Sequence, residues 1–174
     1  MLTRRLLPLS EVVQVVGSAP SGSNPGPLLY EWRIYKQQTL TCVYIGKAKN
    51  GDGRPLKTYP KVVCDLHQSR GIKKVGQAPV FCYFQRNPWG YRWIHHELEA
   101  AANRICNQGN PLNETIELRF PMLTIPFANL HTQETREIAA ARADPIRSTV
   151  LANGHRSIRT QYKHNPFKLD SAWV

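Results

Sequence analysis

The chain has 174 residues, 41% of them hydrophobic and 20% charged, which suits one domain with a genuine core and a small appendage. Its 23 lysines and arginines exceed 12 acids, and a net charge of +11 points to a polyanionic partner, nucleic acid before an anionic membrane. No apolar run approaches the ~18 residues of a membrane span, and the four cysteines (Cys42, Cys64, Cys82, Cys106) form no CxxC pair, so they read as reduced thiols of an intracellular protein.

The opening segment, "MLTRRLLPLSEVVQVVG", places two arginines before apolar residues as a signal peptide does. Pro8, Ser10, Glu11 and Gln14 break the apolar stretch too early for that role. Ser10 reads as the N-cap of a short helix carrying Val12, Val13 and Val16 on one side and ending at Gly17. The Ser/Pro/Gly stretch "SAPSGSNPGP" then separates this helix from the rest.

Residues 28–35, "LLYEWRIY", alternate, with Tyr30, Trp32 and Ile34 facing one way and Glu31 and Arg33 the other. Residues 39–45, "TLTCVYI", are β-branched and aromatic, and the polar "KQQ" between the two runs makes a hairpin. Pro55 suits a helix start, and Pro60 ends or kinks that segment. "KVVCDLHQ" (61–68) reads as a short amphipathic helix with Val62, Val63 and Leu66 inward, and "APVFCYFQR" (78–86) as a third strand. "YRWIHHELEAAANRICNQ" (91–108) is the strongest helix, alanine-rich and stopped by Gly109. "TREIAAARA" (135–143) is a second helix, and residues 146–174 hold five Lys or Arg against one acid. Cys64 and His67 have CxxH spacing, but no second ligand pair accompanies them, which argues against a zinc site.

"VYIGKAKNGDGR" (43–54) passes from an apolar strand to a glycine-rich basic loop and ends on Arg54, ten residues after Tyr44. With Tyr30 on the preceding strand, "YIG" at 44–46, Arg54, a glutamate in a later helix and "NPLN" at 110–113, residues 28–114 resemble the GIY-YIG nuclease domain. The first family motif appears as "LLY", without its glycine-isoleucine pair, and the gap from Tyr30 to Tyr44 is a few residues longer than usual. Tyr59 sits one place beyond a common family tyrosine or histidine, and His67 has the spacing of a catalytic histidine kept in some members. The resemblance implies an α/β (α+β) fold: a small, mostly antiparallel three-stranded sheet flanked by helices. Segments 1–27 and 115–174 would then be an N-terminal helix with linker and a helical, basic C-terminal extension.

The residue types fit phosphodiester chemistry. Hydrolysis needs an activated water, a neutraliser for the phosphoryl oxygens and help for the leaving oxygen. Arg54 can grip two oxygens through its planar fork. Glycines in "GKAKNGDG" let backbone come close, and Lys47 and Lys49 add positive field. A hard cation such as Mg²⁺ needs only one or two carboxylates. A free phenol titrates near 10, so a tyrosine base needs a nearby cation or a share of the proton transfer from a metal-bound hydroxide.

The resemblance thus implies an endonuclease of the restriction or phage type, dependent on Mg²⁺ or Mn²⁺, that cuts DNA to 5′-phosphate and 3′-hydroxyl ends. Tyr30, Tyr44, Arg54, Tyr59, His67, Glu97 and Asn113 would be its catalytic set. Lys47, Lys49, Arg156, Arg159 and Lys163 would grip DNA. It would act in the cytoplasm of a bacterial or phage-infected cell, and a single active site implies two copies, or two sequential cuts, to cleave a duplex. "HHELEA" offers Glu97 and Glu99 as the metal ligand. Helical spacing puts Glu97 beside Ile94, Ala101 and Ile105, whereas Glu99 shares its side with His95, His96 and Asn103, a solvated face. Glu97 is therefore the expected ligand.

Each residue also has an ordinary role. Tyr30 and Tyr44 suit cross-strand packing, Arg54 a solvated loop, Asn113 a turn, and His95 and His96 a helix surface. Rival functions are a non-catalytic nucleic-acid-binding module on the same fold, or a subunit of a larger assembly docked through residues 1–27.

Overall fold

The computed structural model describes residues 7–17, 26–73, 93–122 and 124–153. A single helical turn, α1 (Leu9–Val12), leads directly into strand β1 (Val13–Val16). The expected helix through Val16 is therefore corrected. Val13, Val15 and Val16 are β-branched and stiff at χ1, which favours extended backbone, and β1 gains a parallel ladder against Ile116–Arg119.

Strands β2 (Leu28–Lys36) and β3 (Thr39–Ala48) form the expected hairpin. Gln37 and Gln38 both turn at positive φ, 47° and 66°, the geometry that matches the right-handed twist of a two-residue hairpin. A π-helical stretch, Arg54–Thr58, then runs into α2 (Tyr59–Lys73). Pro60, with no N–H to donate, falls where the π-helical turn becomes α-helical, so it marks a change of pitch and not the end of the segment.

Helix α3 (Trp93–Asn107) stops before Gly109, whose φ of 71° suits a residue just beyond a helix end. Strand β4 (Glu114–Met122) follows, then a 3₁₀ turn (Phe127–Asn129), α4 (Leu130–Ala143) and the short α5 (Arg147–Val150). Among the described residues the sheet has four strands in the order β1-β4-β2-β3, with β1 parallel to β4 and the other pairs antiparallel. This corrects the expected count of three strands: the fold is α+β, and the sheet is mixed, with two of its three strand pairs antiparallel. The strand expected at 78–86 lies outside the described residues. The sheet draws strands from all three expected segments, with β4 inserted at its centre.

Helices cover both faces of the sheet. On one face Tyr30, Trp32, Ile34, Cys42, Tyr44, Ile116 and Leu118 pack against Tyr59 and Val63 of α2 and Ile94, Leu98 and Ala101 of α3. On the other, Val43 and Ile45 meet Ala141 and Leu151, while Leu29 meets Ile125 and Leu130. Each large aliphatic side chain buried this way contributes about 1.5–3 kcal/mol. Residues 151–153 also close the outer edge of β3. The Ala152 N–H donates to Val43 O at 2.7 Å, and the Asn153 side chain bonds both Ile45 N and Ile45 O, at 2.7 and 2.6 Å. One amide thus supplies the donor and acceptor that a neighbouring strand would offer. Among the described residues no helix is long and apolar enough to cross a membrane.

Candidate functional site

Three phenols converge where the β2–β3 hairpin meets the start of α2. Tyr30 lies opposite Gly46 in the ladder, and its hydroxyl donates to the Tyr59 oxygen at 3.2 Å. Its ring occupies the space a side chain at 46 would fill: a Cβ there would come 2.6 Å from Tyr30 Cε2. The glycine of "YIG" is therefore required by a cross-strand aromatic and not by an unusual φ. Tyr59 packs edge-on to Tyr30, stacks on Trp32 at 5.5 Å and lies 6.4 Å from the Tyr44 ring. His95 of α3 closes the cluster, 4.7 Å from Tyr59.

Tyr30, Tyr44 and Tyr59 are 0%, 5% and 2% exposed. Burial, reinforced by the charges and hydroxyls of Tyr30 and Tyr44, pushes the Tyr59 phenol well above its ordinary value. Tyr59 is thus a neutral hydrogen-bonding hub that fixes the other two rings.

Arg54 stands at the rim of this cluster. Its side chain is exposed, and Nη1 donates to Lys47 O at 3.4 Å, which ties the start of the π-helical turn to the end of β3. Lys47 and Lys49 part company. The Lys47 ammonium lies 2.7 Å from Glu134 Oε2 and 2.8 Å from His131 Nδ1, pinning α4 to β3. That charge is paired within the molecule. Lys49 is exposed and sits over the Phe127 ring, 5.3 Å from the centroid.

Helix α3 carries a larger correction. His95, His96 and Glu99 are 7%, 4% and 2% exposed, so the face expected to be solvated is buried. The helix lies in a corner: Ile94, Leu98, Ala101 and Ala102 are also buried, and only a narrow side remains for water. Glu99 is paired, its Oε1 lying 2.9 Å from His67 Nδ1 on α2, which compensates the cost of burying a carboxylate. His67 therefore belongs to this pair. It lies roughly 12 Å beyond Tyr59 along α2, at about 1.5 Å per residue, on the side away from Arg54.

Glu97 is half-buried. Burial pushes the Cys42 thiol up to about 12, and the nearby Glu97 carboxylate adds to the shift. Cys42 precedes Tyr44 by two residues on the same strand face, so Glu97 lies within electrostatic reach of the strand that carries Tyr44. Among the described residues no three His, Cys, Asp or Glu side chains form a metal cage. A cation that keeps most of its waters needs only one carboxylate, and a half-buried Glu97 suits that donor set.

Asn113 does not join the phenols. It turns at φ 46° just before β4, and its carbonyl accepts from Gln37 N at 3.2 Å, at the hairpin-turn end of the sheet. From Lys36, which faces Glu114, back to Tyr30 the strand spans roughly 20 Å at about 3.3 Å per residue. Asn113 is a turn residue there. The neighbouring Glu114 is held by a bidentate pair with Arg104, at 2.6 and 2.8 Å. Arg156, Arg159 and Lys163 lie outside the described residues.

Sequence reasoning missed His95 as the fifth ring of the cluster and Phe127 beside Lys49. The dyad His95-His96 gave no sign of its burial, but an aromatic placed after Pro126 in "TIPFANL" was a readable signal. Comparisons with protein-family models, with curated proteins and with solved structures return no match to this chain.

Proposed function

We propose that this chain is a metal-dependent DNA endonuclease of the GIY-YIG type, cutting to 5′-phosphate and 3′-hydroxyl ends. The observation that carries the reading is the packing of Tyr30 over Gly46, with Tyr44 and Tyr59 beside it and Arg54 at the rim. It gives the "YIG" glycine a physical purpose, and the Arg54 guanidinium, suited to phosphate, reaches the backbone one residue beyond that glycine.

In this reading the Arg54 fork holds two phosphoryl oxygens. A water oxygen attacks phosphorus as the bond to the 3′ oxygen breaks, and the departing 3′ oxygen takes up a proton from bulk water. The attacking water's proton passes to the oxygen of Tyr44, the most exposed of the three phenols, as the Tyr44 hydroxyl hands its own proton on to bulk water. Tyr59 remains protonated throughout and positions Tyr30 by hydrogen bonding. Mg²⁺ or Mn²⁺ held by Glu97 would stabilise charge on the phosphoryl group.

The near-complete burial of all three phenols favours one second reading, a non-catalytic nucleic-acid-binding module in which the tyrosines only pack. Cleavage of a random DNA substrate with and without Mg²⁺, followed by end-mapping, separates the two. Endonuclease function requires metal-dependent cuts with 5′-phosphate ends that vanish in Glu97→Gln. Glu99→Gln is a stability control: it weakens the pair with His67 and lowers the melting temperature while leaving metal dependence in place. Binding without cutting in the wild-type protein would select the second reading.

A further inference from the structure

Phe127 is 61% exposed, although its neighbours Ile125 and Leu130 are buried with Leu29. The outward direction is built into the backbone. Pro126 is extended, and Asn129 N donates back to Pro126 O at 2.8 Å, so the 3₁₀ turn directs residue 127 away from the core. The platform is anchored, since α4 begins at the next turn and is pinned to β3 by the Lys47–Glu134 ion pair. Lys49 covers part of the ring with its ammonium, and Arg54 reaches the carbonyl of Lys47, two residues before Lys49. A large exposed ring, a cation at its face and a guanidinium nearby therefore share one patch, on a chain of net charge +11.

We propose that Phe127 and Lys49 form a stacking subsite for an unpaired base of a bound nucleic-acid strand, with the flanking phosphate on Lys49 and the strand running toward Arg54. The inference rests on the nucleic-acid reading above and adds to it the position and type of contact. An aromatic ring offers its face to any base, whereas a paired duplex presents mainly its phosphates. A cation beside the ring suits an anionic strand, because stacking and phosphate neutralisation then occur on adjacent groups. An acidic peptide would use the charge without needing an open ring face, and an anionic membrane, which can take up an exposed ring, is separated by the vesicle arm of the test.

The test is anisotropy of labelled single-stranded and duplex oligonucleotides with the full chain, in chelator so that nothing is cut, over a range of salt. Phe127→Ala should weaken single-strand binding about 10-fold or more, the scale of losing one stacked base, with the salt slope unchanged. Duplex binding should move much less. Phe127→Trp should restore affinity, and its added fluorescence should be quenched by the oligonucleotide. Lys49→Ala should flatten the single-strand salt slope by about 0.7, the loss of one phosphate contact. Unchanged single-strand affinity in Phe127→Ala, an equal loss on duplex, or tighter binding to anionic vesicles than to oligonucleotide would each overturn the subsite. The first two outcomes leave the endonuclease reading standing, whereas a wild-type protein that binds no nucleic acid removes both. Because residue 127 is exposed, matching melting temperatures of wild type and variants will show that any change in affinity is local.

Discussion

The two ends of the stretch from Tyr44 to Arg54 are built on opposite principles. At the strand end, Tyr44 joins Tyr30, Tyr59 and His95 in a nearly dry, hydrogen-bonded cluster. At the loop end, Arg54 and Lys49 stay in water, with loose contacts to a carbonyl and to an aromatic ring. The buried end fixes orientation, because rings in a close-packed core have one arrangement. The exposed end keeps charge available, because a hydrated guanidinium carries no burial cost and can turn to a phosphate. A change at Gly46 or Tyr59 is felt mainly as stability, and a change at Arg54 or Lys49 mainly as activity or binding.

The sharpest separation comes from Arg54→Lys. The residue is exposed, so the melting temperature should not move, while turnover on DNA should fall roughly 10²-fold through loss of the bidentate fork. A thermal melt and a cleavage time course on the same preparation decide it. Equal turnover would show that the guanidinium is only a surface charge.

Gly46→Ala probes the other end. The new Cβ overlaps the Tyr30 ring, and relieving that overlap within a packed core costs about 1–3 kcal/mol. Urea unfolding should show the loss directly. An alanine tolerated without cost would mean that Tyr30 does not lie over residue 46.

Tyr59→Phe gives the smallest effect and a pH signature. Losing the hydroxyl that accepts from Tyr30 costs about 1 kcal/mol. Because burial raises the folded phenol above its unfolded value near 10, the folded state holds its proton more tightly. Its contribution is therefore fully present below about pH 10 and is lost as pH rises above that toward the folded value. Denaturation from pH 8 to 11 should show a shallower alkaline decline in Tyr59→Phe than in wild type. Identical declines would place Tyr59 in water.

The β2–β3 hairpin was legible in the sequence because two alternating runs flank a polar pair, and local alternation is enough to choose strands. α3 was legible as a helix from its alanines and from Gly109, since propensity and a stop signal are also local. β4 was readable in principle, because Ile116, Leu118 and Phe120 alternate with Thr115, Glu117 and Arg119, but its place at the centre of the sheet rests on pairing with β1 and β2, which local alternation does not encode. The tyrosines and Arg54 could be chosen from order and residue type, whereas Phe127 acquires meaning only from Lys49, which lies far from it in the chain.

The hairpin, the main helices, the basic charge and the order of tyrosines and arginine are all features written in neighbouring residues. Tertiary structure decided which side of α3 is dry. A helix packed into a corner buries residues that a one-sided periodicity argument assigns to water, so Glu99 pairs with His67 while Glu97 stays half-buried. It also turned Val13–Val16 from helix into strand, because the ladder against β4 is made with residues about 100 positions away. Long-range pairing of that kind supplies hydrogen bonds and burial that no local signal encodes, and it settled which groups share a site.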